Sequence, residues 1–493
     1  MERNDIAEMA RKMETKEDLL LLLNRMKQDE MEELGMSNKF HPFTINHINY
    51  YCNPNHVFHR FRQFKIKKKT GGFRTITTPR NKSYMLILSY INEILKSLYT
   101  PSSYAMGFTE GRSVKTNAEC HKGMFYILNL DLKDFFPSIE QPRVWKRLQL
   151  KPFEFPSPIA NIIAGLVSMR ETRNMPDGTR MNFFVLPQGS PTSPIITNMI
   201  CDKLDRRLSG LAKRFGLNYT RYADDITFSS KHNVYQNGSD FLNELHRIIT
   251  DQGFTVNEEK TRLQKLGTRQ EVTGIIVSNK LNVTQKYVRN IRNILYIWDR
   301  YGYSTAYSKF FAQYMIEKGH IKKGVPNLIN VLDGKLMYLK MVKGEEDSVY
   351  TQLSAKYKRL VAEICNFGST TEESITYIKT TSVQEFEVQN KTEVIFRMSN
   401  PKVNEDGIIT KPTHRYSYFL LHKKKIYASI NKSINKEEFP QKEELSISLC
   451  CDAHHEQFWL IHKSDKITVP SIETVNIDAL NCELDDLLEQ QNG

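Results

Sequence analysis

Two adjacent carboxylates inside a strand-forming segment constrain this chain more than any other feature. In Tyr219-Thr-Arg-Tyr-Ala-Asp-Asp-Ile-Thr-Phe-Ser229, two β-prone runs flank Asp224 and Asp225. Both runs are rich in Tyr, Thr, Ile and Phe and poor in Gly and Pro, as strands require. The aspartates sit where the runs meet, at the tip of a predicted hairpin. Like charges side by side repel, so such a pair needs a solvated turn or a neutralising cation. Taken alone, the segment reads as an acidic hairpin turn.

A second acidic strand lies upstream, in Phe125-Tyr-Ile-Leu-Asn-Leu-Asp-Leu-Lys-Asp-Phe-Phe-Pro-Ser-Ile139. The nearly continuous apolar run from Phe125 to Leu132 predicts a buried central strand. Asp131 interrupts it near its C-terminal end, where a lone carboxylate is costly unless paired or metal-bound. Hard Mg²⁺ takes a few carboxylates together with substrate phosphates. Asp131, Asp224 and Asp225 would hold two such ions, one at an attacking 3′-oxygen and one at a leaving pyrophosphate. The pattern D-x-x-D-F-F followed by Y-A-D-D resembles the palm of reverse transcriptases. That resemblance implies that the first Asp of each motif carries metal.

With 493 residues, 40% of them hydrophobic, the chain is long enough for two or three domains with real cores. A formal charge of +13 suggests a polyanionic partner. Seven scattered Cys form no C-x-x-C pair, so neither a disulfide scaffold nor a zinc ribbon is indicated, and a reducing cytosol is the simplest compartment, which the family resemblance above makes a bacterial cytoplasm. No signal peptide is evident. The apolar run Leu19–Leu23 is too short to span a bilayer, so no membrane is expected as a partner. Asp5 to about Leu34 predicts one or two amphipathic helices, with a capping box at Thr15-Lys-Glu-Asp18.

From Tyr50 to Lys82, Arg60, Arg62, Lys65, Lys67, Lys68 and Lys69 are interleaved with Phe58, Phe61, Phe64 and Ile66. Alternation on both sides of Gly71-Gly72 predicts a hairpin, which could be merely a solvated basic edge. Its string Lys-x-Gly-Gly-x-Arg-x-Ile resembles the fingers hairpin of bacterial reverse transcriptases. By that likeness Arg74 contacts the incoming triphosphate and Lys67, Lys68 and Lys69 lie near phosphates. Ser83–Leu98 predicts a helix. Asn117 and His121 follow, four apart on one expected helix face. Such a pair commonly caps or packs, but N-A-x-x-H is also a motif of retron reverse transcriptases.

Further motifs stand in the same order. Phe136 resembles the aromatic residue under the sugar of the incoming nucleotide, where a bulky ring would collide with a 2′-hydroxyl; Phe135 reads as core. Pro142–Val167 predicts helix and loop. In Leu186-Pro-Gln-Gly-Ser-Pro-Thr-Ser-Pro194, Gly189 allows close backbone approach. The Q-G-x-P-x-S-P string resembles the nucleotide-positioning motif of retron and group II intron enzymes, with Gln188 against the incoming base or sugar. Lys260 resembles a residue near the triphosphate, with a surface salt bridge as the alternative. Glu271–Ser278 predicts one strand, and Val272-Thr273-Gly274 is the retron V-T-G triplet, implying with Asn117 and His121 a seat for the priming RNA.

From Thr284 the pattern turns helical, with Val288, Ile291, Leu295 and Trp298 forming one stripe. Gly334–Gly344 resembles the retron thumb helix, whose Lys335, Lys340 and Lys343 would meet an RNA–DNA duplex backbone. After about Asn366 come five β-prone runs: Glu393–Met398, Arg415–Leu421, Lys425–Ile430, Leu445–Cys450 and Phe458–Ile461. Cys450, Cys451, His454, His455 and His462 match no usual zinc spacing. Asp478–Gln491 is acidic and helix-prone.

The expected fold is α+β: a right-hand polymerase of fingers, palm and thumb with a C-terminal β-rich or mixed extension. The expected divisions are 1–49 (N-terminal helices), 50–278 (fingers and palm), 279–366 (thumb) and 367–493 (extension). The retron resemblance implies an RNA-directed DNA polymerase that uses dNTPs and copies a structured noncoding RNA of the msr–msd type. It implies priming from an RNA 2′-hydroxyl, branched msDNA as product, and antiphage defence with an effector protein. The alternatives are a group II intron-like or other defence-associated reverse transcriptase, or a catalytically silent RNA-binding scaffold.

Overall fold

The structure, a computed structural model, describes residues 1–53, 56, 60–67, 71–318 and 328–366, then only the strands of the C-terminal region; no side chain after residue 362 is described. The chain divides into two compact units, Met1–Val283 and Thr284–Gly493.

The first unit opens with helices Arg3–Arg11 and Lys16–Glu33. The expected capping box forms: the Asp18 N–H donates to Thr15 Oγ1 at 3.2 Å, and the Thr15 N–H donates to Asp18 Oδ2 at 2.8 Å. Strands β1 (Phe61–Lys67) and β2 (Phe73–Pro79) make the predicted antiparallel hairpin, with Gly71 and Gly72 both at positive φ. The side chain of Lys67 and all of Lys68 and Lys69 lie outside the described residues. Arg60 is no surface cation. It is 1% exposed and donates to the carbonyls of Gly165 (2.6 Å) and Ser168 (3.0 Å), capping the negative end of the helix Ser157–Val167.

The predicted Ser83–Leu98 helix spans Lys82–Leu98, capped by Asn81. The palm sheet is built from β3 (Tyr126–Asp131), and beyond it the chain forms helices Gln141–Leu148 and Ser157–Val167. A hairpin of β4 (Met169–Asn174) and β5 (Arg180–Val185) comes next, then the helix Ser193–Arg214. Strands β6 (Asn218–Tyr222), β7 (Asp225–Ser230) and β8 (Arg262–Lys265) complete a four-stranded antiparallel sheet of order β6-β7-β3-β8.

The register explains how this sheet is both buried and polar. Side chains alternate between faces. Leu128 pairs with Phe228 and Leu130 with Ile226 on one face, which joins the core with Phe241, Leu245 and Ile248 of helix Asp240–Asp251. The opposite face carries Asn129 against Thr227 and, at its end, Asp131 against Asp225.

The expected strand Glu271–Ser278 is instead a tight hairpin, β9 (Glu271–Val272) and β10 (Ile275–Val277), with β11 (Leu281–Asn282) beside it. The break has a local cause: Thr273 and Gly274 both have positive φ, +47° and +85°, as a two-residue hairpin turn demands.

In the second unit, the helix Gln285–Lys318 breaks its regular geometry at Gly302 (φ +85°). Ile291, Leu295 and Trp298 are buried as the stripe predicts, Val288 half-buried. Helices Leu328–Lys343 and Ser348–Asn366 follow. Lys340 Nζ pairs with Glu345 at 2.8 Å and Lys343 Nζ with Asp347 at 3.1 Å. A phosphate would therefore have to displace those carboxylates. Lys335 is half-buried, and its carbonyl accepts from the Tyr287 hydroxyl at 3.1 Å. All five β-prone runs of the C-terminal region are strands, within Glu393–Ser399, His414–His422, Lys425–Ile434, Leu445–Cys451 and Gln457–Lys463. The side chains of Cys450, Cys451 and His462, and all of His454, His455 and Asp478–Gln491, lie outside the described residues. No helix among the described residues is long and apolar enough to cross a membrane.

Candidate active site

Asp131 ends β3 and Asp225 begins β7, and the two are direct cross-strand partners. Asp224 occupies the β6–β7 turn, where its carbonyl accepts from the Leu132 N–H at 3.1 Å. The sheet thus brings all three aspartates to one end. Ala223 precedes them at φ +58°, a backbone conformation that costs free energy for any residue with a Cβ.

Two sets of contacts hold that turn. Gly107 lies against it so closely that an added Cβ would sit 2.6 Å from the Ala223 nitrogen. From the other side, Arg221 donates Nη1–H to the Ala223 carbonyl at 3.2 Å. Arg221 is itself fully buried and clamped by Asp205 through two bonds of 2.8 Å, Nε to Oδ1 and Nη2 to Oδ2. Nη2 also donates to Asn198 Oδ1, and the Tyr219 hydroxyl donates to Asp205 Oδ1 at 2.8 Å. Asp205 and Asn198 stand on the helix that follows the Q-G-S-P loop. The sequence reading missed all three. Their only signal was polar or charged side chains at core-facing positions, and the Arg221–Asp205 pairing spans 16 residues.

The electrostatics of the end are those of crowded acid. Burial first, then Asp131, holds Asp224 above the usual carboxylate range, partly offset by Lys260 and Arg74. Asp225 opens to solvent, yet partial desolvation and the charges of Asp224 and Asp131 push it up to about 6. Lys260 Nζ sits on both oxygens of Asp131 at 2.9 Å, and the Asn257 amide donates to Oδ1 at 3.0 Å. Among the described residues no group of three or more potential ligands is already drawn into a metal cage. Surplus carboxylate charge, hard oxygen donors and an ammonium resting on one of them nonetheless fit a divalent cation.

Two clefts meet here. The larger, about 1520 Å³, is lined by Asp131, Asp224, Arg74, Phe136, Gln188 and Lys260 among others. Phe135 is buried while Phe136 is half-buried on the cleft wall. The Gln188 carbonyl accepts from the Thr77 N–H at 2.8 Å, and a Cβ on Gly189 would meet Ile76 at 2.8 Å, so the hairpin β1–β2 docks directly on this loop. The smaller cleft, about 610 Å³, lies on the polar face of the sheet and is lined by Asn129, Asp131, Asp225, Thr273 and Gly274.

Asn117 and His121 are not exposed to either cleft. The helix Val114–Glu119 ends before His121, which is fully buried, and Asn117 is 1% exposed. The Asn117 amide donates to Thr273 Oγ1 at 3.3 Å, supporting a β-branched residue at positive φ. His121 bridges Thr220 Oγ1 and Ser229 Oγ, both at 2.7 Å, and so ties β6 to β7. Burial depresses the His121 pKa to about 3. The unfolded imidazole takes its proton near pH 6.5, so the unfolded state binds more protons below that value. The His121 contribution is therefore present above about pH 6.5 and is lost as pH falls toward 3, by about 1.4 kcal/mol per pH unit. Denaturant unfolding at pH 7 and pH 4.5 checks this: His121→Gln should flatten the acid loss, and an unaltered slope would contradict it.

Among known proteins, the model of the family "Reverse transcriptase (RNA-dependent DNA polymerase)" matches residues 66–287. The chain is similar to the Retron Mx65 reverse transcriptase of Myxococcus xanthus, 34% identical over 288 residues, covering 55% of this chain and 62% of that protein. It is 35% identical to the Retron Mx162 reverse transcriptase of the same organism over 45% of this chain and 49% of that one. It is 32% identical to the Retron Ec86 reverse transcriptase of Escherichia coli over 47% of this chain and 68% of that one. The matched part thus spans less than two thirds of both Myxococcus proteins.

Proposed function

The chain belongs to the retron reverse transcriptases, and from that premise we propose that it is an RNA-directed DNA polymerase in which Asp131, Asp224 and Asp225 hold two Mg²⁺ ions. The observation that carries the reading is the convergence of these aspartates at one end of the sheet, beside a cleft lined by Arg74, Phe136 and Gln188. When bound, the ions would activate the attacking hydroxyl and stabilise the leaving pyrophosphate. Asn257 orients Asp131. Lys260 compensates Asp131, and a cation held there would free its exposed side chain to meet the triphosphate of a dNTP.

Phe136 is assigned to sugar selection, because its ring stands on the cleft wall rather than in the core. Phe136→Val should relax deoxyribonucleotide preference by on the order of 10–100-fold in relative kcat/KM. An active variant with an unchanged ratio would return Phe136 to a packing role.

The V-T-G turn on the smaller cleft is assigned to the priming RNA, with Asn117 acting on it as a positioning residue through Thr273 and His121 acting through the β6–β7 pairing. The template and primer are then one structured noncoding RNA of the msr–msd type, and the product is a branched RNA–DNA. Antiphage defence, an effector partner and a bacterial cytoplasmic location belong to the same proposal, supported by the likeness to retron enzymes alone. The test is to purify the chain with its bound nucleic acid, add dNTPs and sequence the product. DNA joined to an internal RNA 2′-oxygen is the expected result. RNA retained with no DNA made would favour a silent scaffold, and DNA begun only from 3′ ends would favour an intron-like enzyme.

A further inference from the structure

The hairpin β4–β5 entered none of the motifs, and it carries a surface that the proposed chemistry leaves unused. Its strands pair in register from Met169↔Val185 to Asn174↔Arg180, so alternate pairs share a face. One face is satisfied internally. Arg173 donates to Glu171 at 2.6 Å, stacks over Phe183 at 4.9 Å and donates to the Pro137 carbonyl at 2.9 Å.

The other face presents Arg170, Phe184, Thr172, Asn182 and Arg180. Among the described residues neither guanidinium on this face has a hydrogen-bond or ion-pair partner. The acid at the tip, Asp177, is engaged by the N–H (2.9 Å) and hydroxyl (2.7 Å) of Thr179. An isolated two-stranded hairpin is marginal in water. This one is fastened at its base, where the Leu186 N–H donates to the Ile139 carbonyl at 3.0 Å, a few residues from Phe136.

We propose that this face grips the single-stranded RNA template at the larger cleft. The inference rests on the polymerase reading. Arg170 and Thr172 line the same cleft as Asp131 and Asp224, so a strand on this face is one engaged at the active end. Arg170 and Arg180 stand four residues apart along the ladder, about 13 Å, and so meet successive segments of one strand. Uncompensated cations with a half-exposed aromatic, Phe184, directly across the ladder from Arg170 suit an unpaired strand, whose phosphates and base faces are both accessible. A duplex hides its base faces.

The experiment uses the full chain and two labelled RNA–DNA primer–templates with identical duplexes, one blunt and one with a 5′ RNA overhang that reaches past the hairpin. In Arg170→Gln/Arg180→Gln, the overhang's affinity advantage over the blunt duplex should fall about tenfold or more. The salt slope of overhang binding should shrink by about 1.4, the value for two lost single-strand phosphate contacts. Arg170→Lys/Arg180→Lys should keep most of the slope. Arg180→Gln alone, at an exposed position, gives the same test at half the slope change without risk to folding. Equal losses on both substrates would move the contact to the duplex and overturn the proposal, as would no loss. A wild-type chain that extends the primer while the variant keeps its overhang advantage overturns the template grip alone; a wild-type chain that extends nothing overturns the polymerase reading.

Discussion

Asp224→Asn is expected to lower nucleotide addition by on the order of a thousandfold while leaving RNA affinity within about threefold. The carboxylate lies on the cleft at the end of the sheet, where a divalent cation would supply several kcal/mol of charge stabilisation. RNA binding, as proposed, would rest on basic surfaces and their released counterions instead. The amide keeps the size and shape of the turn residue, and the Asp224 carbonyl still accepts from Leu132. The substitution also removes one of the like charges that hold Asp224 and Asp225 above the usual carboxylate range. Thermal stability should therefore be unchanged or higher, because carboxylates forced together destabilise the fold they serve. Incorporation, filter binding and melting temperature, measured on one preparation, decide the matter. A variant that still polymerises removes Asp224 from the metal site. One that melts lower and loses RNA binding makes it a structural residue.

The parts legible in the sequence are those whose signals are local. The β6–β7 hairpin, β3, the Thr15 capping box and the five C-terminal strands each rest on β-prone composition, a continuous apolar run or cap chemistry within a few residues. The β4–β5 hairpin escaped because Met-Arg-Glu-Thr-Arg-Asn does not alternate apolar and polar residues, leaving only Asp177-Gly178 as a turn signal. The V-T-G run was read as one strand because a β-branched Thr at positive φ contradicts its own propensity. Tertiary bonds to Asn117 and to the Val114 carbonyl support that turn. Asn117 and His121 were joined by their spacing, but spacing alone says nothing about burial. The polar face of the palm sheet, which His121 pins, emerges only once register is known. Lys260 shows the same limit: its motif implied a triphosphate, and its resting partner is Asp131.

The second large effect lies beneath the aspartates. Arg221→Met should destabilise the first unit by about 3–5 kcal/mol, because it leaves the carboxylate of Asp205 buried without its cation. A loss of that size lowers the melting temperature by roughly 10 °C in a unit of this length. Asp205→Leu should cost a similar amount by stranding the guanidinium. The double variant Arg221→Met/Asp205→Leu separates the two roles of the pair. Buried ion pairs replaced together by apolar side chains often return to near the original stability. If stability were all the pair contributed, activity would return with it. But Arg221 also holds the Ala223 carbonyl and Asn198, and through them a turn whose first residue sits at φ +58°. Without that support the turn relaxes toward easier backbone geometry and carries Asp224 away from Asp131. The double variant should therefore melt near the wild type yet add nucleotides at least about tenfold more slowly, since a misplacement near 1 Å at a reacting centre costs on the order of a hundredfold. Full recovery of both stability and rate would reduce Arg221 and Asp205 to a folding element. Recovery of stability alone would make them the positioning residues of the catalytic turn.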